Sequence, residues 1–345
     1  MSEVLMYGVE LESRCMVNVC GSDETVAFLV GTQNMKLTNE ICHVHLDGSR
    51  IVAKSRQHPI GEVRALACDP NDEERFITGS SDYGKTIPSH SYNLFRMKKD
   101  DEKLELMYSM SIDSEVKSLE FHNEGMKVAS IHNNHVNICD IEKPFEWTWN
   151  HKVEGSSSVA IWSPHSYANI IGVPIGYDIV TFDLRTKSEG NRINNAHSLR
   201  CLYLDFNPNI QNVVVSSGRD GLLKIWDWRN SSYPLISFRS HAHWATQVHF
   251  HPVHDELILS SGSDGSLLLT SAYTVSSDSK EHDDECEDRV VLADGLLERI
   301  DEHEDSIYAC AWSTADPWTF ASLSFDGRIL ISHVNREHKY ALMKL

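Results

Sequence analysis

Histidine, serine and aspartate, the residues of an acyl-transfer triad, occur together in residues 197–227, HSLRCLYLDFNPNIQNVVVSSGRDGLLKIWD. His197, Ser216 and Asp220 could in principle share a proton path, with the imidazole taking the hydroxyl proton and the carboxylate orienting the ring. A nucleophilic serine needs a strand–elbow–helix setting that exposes its oxygen, and no such pattern surrounds Ser216 or its neighbour Ser217. The same residue types suit a buried hydrogen-bond relay. His197 would stand before an inner strand, Ser216 or Ser217 beside it, Asp220 would fix a tight turn, and Trp226 would close the relay through its indole N–H. A buried imidazole or indole left unpaired costs about 1–3 kcal/mol, so such partners are required. The relay is the reading adopted.

Three further groups invite chemistry. Residues 79–86, GSSDYGKT, satisfy the phosphate-binding pattern G-x-x-x-x-G-K-[ST]. That loop works only between a strand and a helix whose backbone N–H groups cradle phosphate. The following IPSHSYNLF does not read as a helix, and Asp82 would put a carboxylate in the cradle. His241, His243, His249, His251 and His254 suggest metal, as do His43 and His45, but no Cys or carboxylate completes a tetrahedral set at the usual spacing. Neither a metal nor a cofactor is expected. Trp226-Asp227-Trp228-Arg229 matches the W-D-x-R box of substrate receptors in cullin–RING ubiquitin ligases, with Phe182-Asp183-Leu184-Arg185 a looser echo. In that reading Arg229 would contact an adaptor.

The elements that must position these residues repeat. His197 and Asp220, His241 and Asp264, His303 and Asp326 are each 23 residues apart. Phe206, Phe250 and Trp312 each fall nine residues after the His and 14 before the Asp. Short β-branched runs broken by Asn-Pro and Asp-Gly are antiparallel strands joined by tight turns. A His…Trp-Asp frame at this period marks a WD40 repeat, one four-stranded blade of a β-propeller. Extended backwards, the ruler finds Trp162 with Gly176 and Phe182-Asp183, Phe121 with Asn133 and Cys139-Asp140, and Cys68 with Asp82 and a last strand near residues 91–96. A first unit would use residues 7–12, 27–32 and 41–46. The expectation is an all-β chain forming a single seven-bladed WD40 β-propeller across residues 1–345. Only one unit keeps Trp-Asp; Thr270 and Ser332 fill the Trp position in the last two. Ring closure is left open between residues 339–345 and residues 3–6 as the outer strand of blade seven.

Two segments break the rhythm. Residues 97–105, MKKDDEKLE, form a charged connection assigned between blades two and three. Residues 276–288, SSDSKEHDDECED, carry seven acids against one lysine and are assigned as a disordered loop between blades six and seven. Its serines 276, 277 and 279 beside acids suggest a docking tether or a phosphorylation target.

Composition bounds the function. A net charge of −19 argues against nucleic acid or an anionic membrane as the main partner. Eight scattered cysteines without a C-x-x-C pair suit reduced thiols rather than a disulfide framework. No signal peptide, lipidation motif or run of 18 apolar residues is present. A monomeric cytoplasmic protein without direct membrane insertion is expected.

The turn ADPW, holding Asp316 and Trp318, places an aromatic at a blade tip, either packed on a neighbour or offered to a partner, where Trp is enriched. That turn lies in HEDSIYACAWSTADPWTFASLSFDGR (303–328). With FLVGTQNMKLTNEICHVHLD (28–47), GEVRALACDPNDE (61–73), NAHSLRCLYLDFNPN (195–209) and SHAHWATQVHFHPVHDELILSSGSDG (240–265), it resembles the family of WD-repeat proteins that interact with the EARP and GARP vesicle-tethering complexes. The likeness is thin over residues 97–160. The resemblance implies a non-enzymatic scaffold bound to tethering-complex subunits. It further implies recruitment through them to endosomes and the trans-Golgi network, with roles in endosomal recycling, retrograde transport and dense-core vesicle cargo sorting. Asp316 and Trp318 are the candidate contacts of that partner, and Arg229 of the rival ligase adaptor.

Overall fold

The computed structural model describes residues 4–20, 25–35, 38–84, 86–99, 101–141, 146–166, 169–280 and 293–343. Its strands form seven separate four-stranded antiparallel sheets, the blades of a propeller. From the inner to the third strand, blade five runs Cys201–Phe206, Val213–Gly218 and Leu222–Asp227, with Ile236–Arg239 outermost. Blade six follows as Ala245–Phe250, Leu257–Gly262, Leu267–Ser271 and Gly295–Ile300. In both, the second strand is buried throughout and the outer one is mostly half-buried or exposed.

Seven clusters of buried apolar side chains hold the ring, one at each seam between neighbouring blades. At the seam of blades three and four, Ile131, Val136 and Ile138 meet Trp162, Ile171 and Phe182. At the seam of blades seven and one, Ala321, Leu323 and Ile331 meet Phe28 and Val30. A blade cannot bury both faces alone, so stacking its neighbours is what removes this apolar surface from water.

Closure falls to the N-terminal end of the chain. Val4–Gly8 is the outer strand of blade seven, pairing Val4 with Ser332 and Gly8 with Arg328. Among the described residues, the alternative strand from residue 339 does not form; Arg336–Met343 is a helix, with Asn335 Oδ1 accepting the Glu337 N–H at 3.1 Å and Leu342 buried. REHKYALM contains no β-branched residue and is rich in good helix formers. The first unit shifts accordingly: its inner strand is Ser13–Asn18 rather than residues 7–12, because Tyr7 already belongs to the closing strand. The second and third strands, Ala27–Thr32 and Glu40–Asp47, fall where the spacing placed them.

Both irregular segments lie inside blades rather than between them. Residues 97–104 join the third strand of blade two, Ser89–Arg96, to its outer strand, Glu105–Ile112. Arg56 of blade one is buried against that connection and donates to the carbonyls of Lys98 at 3.1 Å and Asp101 at 2.9 Å. The acidic segment joins the third and outer strands of blade six. Its start is ordered: Tyr273–Val275 and Asp278–Lys280 are single 3-10 turns, and Ser276 is buried with its hydroxyl on the Tyr273 carbonyl at 2.8 Å. Residues 281–288 lie outside the described residues. Both segments were misplaced for one reason. The His-to-Asp ruler spans the inner and second strands and stops at the turn into the third, and an outer strand, half in water, carries a weaker pattern.

Candidate functional site

The inner strands all begin at one face of the ring, here called upper, and end at the lower face. The His loops and Asp turns sit at the upper face. In blade five His197 Nδ1 lies 2.9 Å from Asp220 Oδ1 and its Nε2 2.8 Å from Ser216 Oγ, which also accepts the Trp226 indole N–H at 3.0 Å. Burial lowers the His197 pKa. Burial also pushes the Asp220 carboxyl up, but the His197 hydrogen bond and charge and the Ser198 and Leu222 N–H groups outweigh it and hold the carboxyl well below its usual range. Ser216 is buried beneath this network, so no substrate carbonyl reaches its oxygen.

Blades six and seven build variants. His241 meets Asp264 at 3.1 Å and Ser260 at 3.0 Å, and Ser266 supplies an extra hydroxyl at 3.2 Å. His303 meets Ser322 at 2.7 Å and Ser324 at 2.8 Å, and the Ser324 hydroxyl donates to Asp326, so the aspartate acts through a serine. A fourth relay was not read from the sequence: buried His58 contacts Thr78 at 3.2 Å and Ser80 at 3.4 Å. It stands 24 residues before Asp82, one off the ruler, which hid it.

The phosphate-loop pattern is a hairpin. Gly79, Ser80 and Ser81 lie in the strand Asp72–Asp82, and the next element after Thr86 is the strand Ser89–Arg96. Gly79 is required because a Cβ there would lie 2.5 Å from Val116 of blade three. Lys85 lies outside the described residues. The histidines of blade six disperse: His241 joins the relay, His251 bonds the Pro317 carbonyl at 2.7 Å, and His243 contacts Ser263.

The three candidate contact residues all lie at the lower face. Trp318 is half-buried, its ring 4.8 Å from that of His254 and 5.7 Å from that of His251, with Lys339 Nζ 5.0 Å over its face. Asp316 accepts the Trp318 N–H at 3.1 Å and the Thr319 hydroxyl, which shapes the turn. Both are therefore engaged within the molecule, which favours the packed alternative for the Trp318 ring. Arg229 is exposed but folds back on Asp227, with Nε at 3.0 Å and Nη2 at 2.6 Å from its carboxylate. Arg185 does the same with Asp183.

A central channel of about 960 Å³ is lined by the inner strands. Six of these strands carry a β-bulge near their upper end, leaving Arg14, Arg64, Lys117, Leu202, Thr246 and Tyr308 out of the pairing. A bulge re-aims the side chain of its extra residue, and here all six line the channel. Each precedes the aromatic or equivalent position of its unit by four residues, a signal available in the sequence but unused. Deeper, Glu120 faces the channel, and buried Asp205 accepts the Phe206 and Phe250 N–H groups behind it; burial, reinforced by Asp205, raises the Glu120 pKa to about 8, and burial raises that of Asp205 to about 7.

The comparisons with known proteins agree with this architecture. The family described as the EIPR1 beta-propeller matches residues 1–270, and the WD domain, G-beta repeat, matches residues 295–331. The chain belongs to the EIPR1 beta-propeller family. Within and around it, the chain is 42% identical to EARP-interacting protein 1 of Caenorhabditis elegans over 100% of both chains. It is 28% identical to EARP and GARP complex-interacting protein 1 of Homo sapiens, covering 98% of each. It is also 28% identical to WD repeat-containing protein DWA2 of Arabidopsis thaliana over 95% of each. In this EIPR1-type propeller, among the described residues, the cations Lys117, Arg200 and Arg219 of the upper channel mouth have no carboxylate in ion-pair range, whereas Arg229 and Arg185 of the lower turns pair with aspartates. Among the described residues no helix is long and apolar enough to cross a membrane.

Proposed function

We propose that this propeller is a non-enzymatic scaffold that binds subunits of the EARP and GARP tethering complexes and is recruited through them to endosomes and the trans-Golgi network. There it serves endosomal recycling, endosome-to-Golgi retrograde transport and cargo sorting into dense-core vesicles. The observation that carries this reading is full-length similarity, 42% over both chains, to a protein named for its interaction with EARP. The geometry supports it. The Ser–His–Asp residues are consumed in buried relays, and the phosphate-loop pattern is a strand hairpin, so the features that suggested catalysis are spent on the fold. Fold alone does not assign a partner, so the test is biochemical. The tagged full-length chain, purified from cell extract and analysed by mass spectrometry, is expected to carry tethering-complex subunits. Recovery of a cullin adaptor, or of no tether subunit at any salt, would overturn the proposal.

A further inference from the structure

The upper channel mouth has a charge that the rest of the chain does not. Acids outnumber bases 50 to 31 over the whole chain, yet Arg14, Arg64, Lys117, Arg200 and Arg219 all line this channel. Two of them are accounted for inside the molecule. Arg64 Nε lies 2.6 Å from Glu115 and its Nη1 3.5 Å from Glu62. Arg14 lies 4.7 Å from the Tyr308 ring centroid and 4.8 Å from that of Phe325, a cation held by aromatic faces.

Lys117, Arg200 and Arg219 are different. Among the described residues, none of them has a carboxylate within ion-pair distance. Lys117 Nζ reaches Asn134 Oδ1 at 3.2 Å and the Ser157 carbonyl at 3.5 Å, and Arg200 Nη2 shares that same carbonyl at 3.5 Å. The Nε groups of Arg200 and Arg219 are buried without a hydrogen-bond partner among the described residues. Arg219 lies 4.2 Å over the Trp244 ring, and Trp244 itself stacks on His243 with centroids 5.0 Å apart. Burial, then the neighbouring Arg219, lowers the Arg200 pKa; burial, then Arg200, lowers that of Lys117. Three mutually repelling cations, two with unmet donors, lower the stability of the isolated chain. A partner that supplies carboxylates would satisfy them with charge-assisted, bidentate bonds.

We propose that the upper channel mouth binds an acidic peptide segment of a partner protein, with carboxylates on Lys117, Arg200 and Arg219 and an apolar side chain against Trp244. A peptide fits better than a compact polyanion such as an inositol phosphate. The rim also carries the apolar surfaces of Leu202, Trp244 and Tyr308 beside the cations, and deeper in the channel Glu120 replaces them, so an anion that filled the lumen would meet an acid. The described start of the chain's own acidic segment lies at the lower face, where Ser277 N–H donates to Asp255 at 3.0 Å, and not at this mouth. The proposal holds whether or not the segment belongs to a tethering subunit.

Fluorescence anisotropy on the full-length protein tests it, with a short fluorescein-labelled peptide of Asp-Glu pairs spaced by Leu and Phe as probe. The expected result is binding that weakens with added salt, about tenfold or more weaker in Arg219→Gln, and lost in the Arg200→Glu/Arg219→Glu variant. Arg219→Gln is expected to keep or raise the melting temperature, because it relieves repulsion; a merely structural arginine would lower it. Arg185→Gln, the same charge change as Arg219→Gln but at the lower face, is expected to leave binding unchanged. Four outcomes overturn the proposal. One is equal binding of the Asn-Gln version of the peptide. The second is unchanged affinity in Arg219→Gln. The third is displacement of the probe by micromolar inositol hexakisphosphate, which would assign the mouth to phosphate. The fourth is self-association of the unliganded chain abolished by Arg200→Glu/Arg219→Glu, which would make a second copy the occupant.

Discussion

At the lower face Arg229 and Arg185 turn back on the carboxylates two residues before them, and Trp318 lies under Lys339 against the histidines of the neighbouring blade. At the upper face Lys117, Arg200 and Arg219 line the channel mouth with no carboxylate in ion-pair range among the described residues, and two of them keep unmet buried donors. The lower face holds the most distinctive local motifs, ADPW and W-D-x-R. The upper face draws its cations from bulge and turn positions that no short motif marks. A distinctive motif can be distinctive because it completes a turn. Capacity to bind is better sought where the fold leaves polar groups unsatisfied.

The contrast is sharpest at Trp318. If it is a packing residue, Trp318→Ala removes half-buried apolar area and is expected to cost about 2 kcal/mol, below the 3–5 of a fully buried Trp, lowering the melting temperature by about 3 °C for a chain of this size. An unchanged melting temperature with lost tether binding would restore Trp318 as a contact and break the comparison.

A smaller effect concerns pH, and it separates buried histidines from buried carboxylates. Burial lowers the pKa of His58, His251 and His303 from 6.5 to about 4. The unfolded chain takes up these protons first, so their contribution is complete above about pH 6.5 and is lost as pH falls toward 4. Glu120 and Asp205 act in the opposite sense. With pKa values raised to about 8 and about 7, the folded chain retains protons the unfolded chain has already released. Stability therefore declines as pH rises from the ordinary carboxylate range through about 8. A melting-temperature profile is expected to peak near pH 6, and Glu120→Gln to flatten its alkaline limb. An alkaline limb of the same slope in Glu120→Gln would remove the carboxylate from the account.

The smallest effect is at Arg229, whose guanidinium is solvent-exposed and, among the described residues, pairs with Asp227. Arg229→Glu is expected to leave both the melting temperature and tether co-purification as in the wild type. Loss of the tether in this variant alone would move the binding surface to the lower face.

Much of the ring was legible because the propeller repeats. The 23-residue His-to-Asp spacing and the aromatic nine residues on located the inner, second and third strands of blades five to seven, where local turn chemistry and apolar alternation agree. The outer strand of blade two was not legible, whereas that of blade six is readable at about residues 296–300, within Gly295–Ile300. ELMYSMSI in blade two is largely exposed and carries no alternation that distinguishes it from a loop, so residues 97–105 were assigned between blades. His58 escaped because it stands 24 rather than 23 residues before Asp82.

Local chemistry by itself determined the blades: β-branched runs, Asp-Gly turns and a relay whose partners lie within one repeat are all contacts of short sequence separation. Tertiary structure decided the rest, because it depends on groups far apart in the chain. Closure pairs Val4 with Ser332, since REHKYALM prefers a helix to a strand. The Trp318 ring is covered by His254 of another blade and Lys339 of the helix. The channel mouth assembles Lys117, Arg200, Arg219 and Trp244 from three blades, and a charge becomes unpaired only once the ring has fixed which neighbours it can reach.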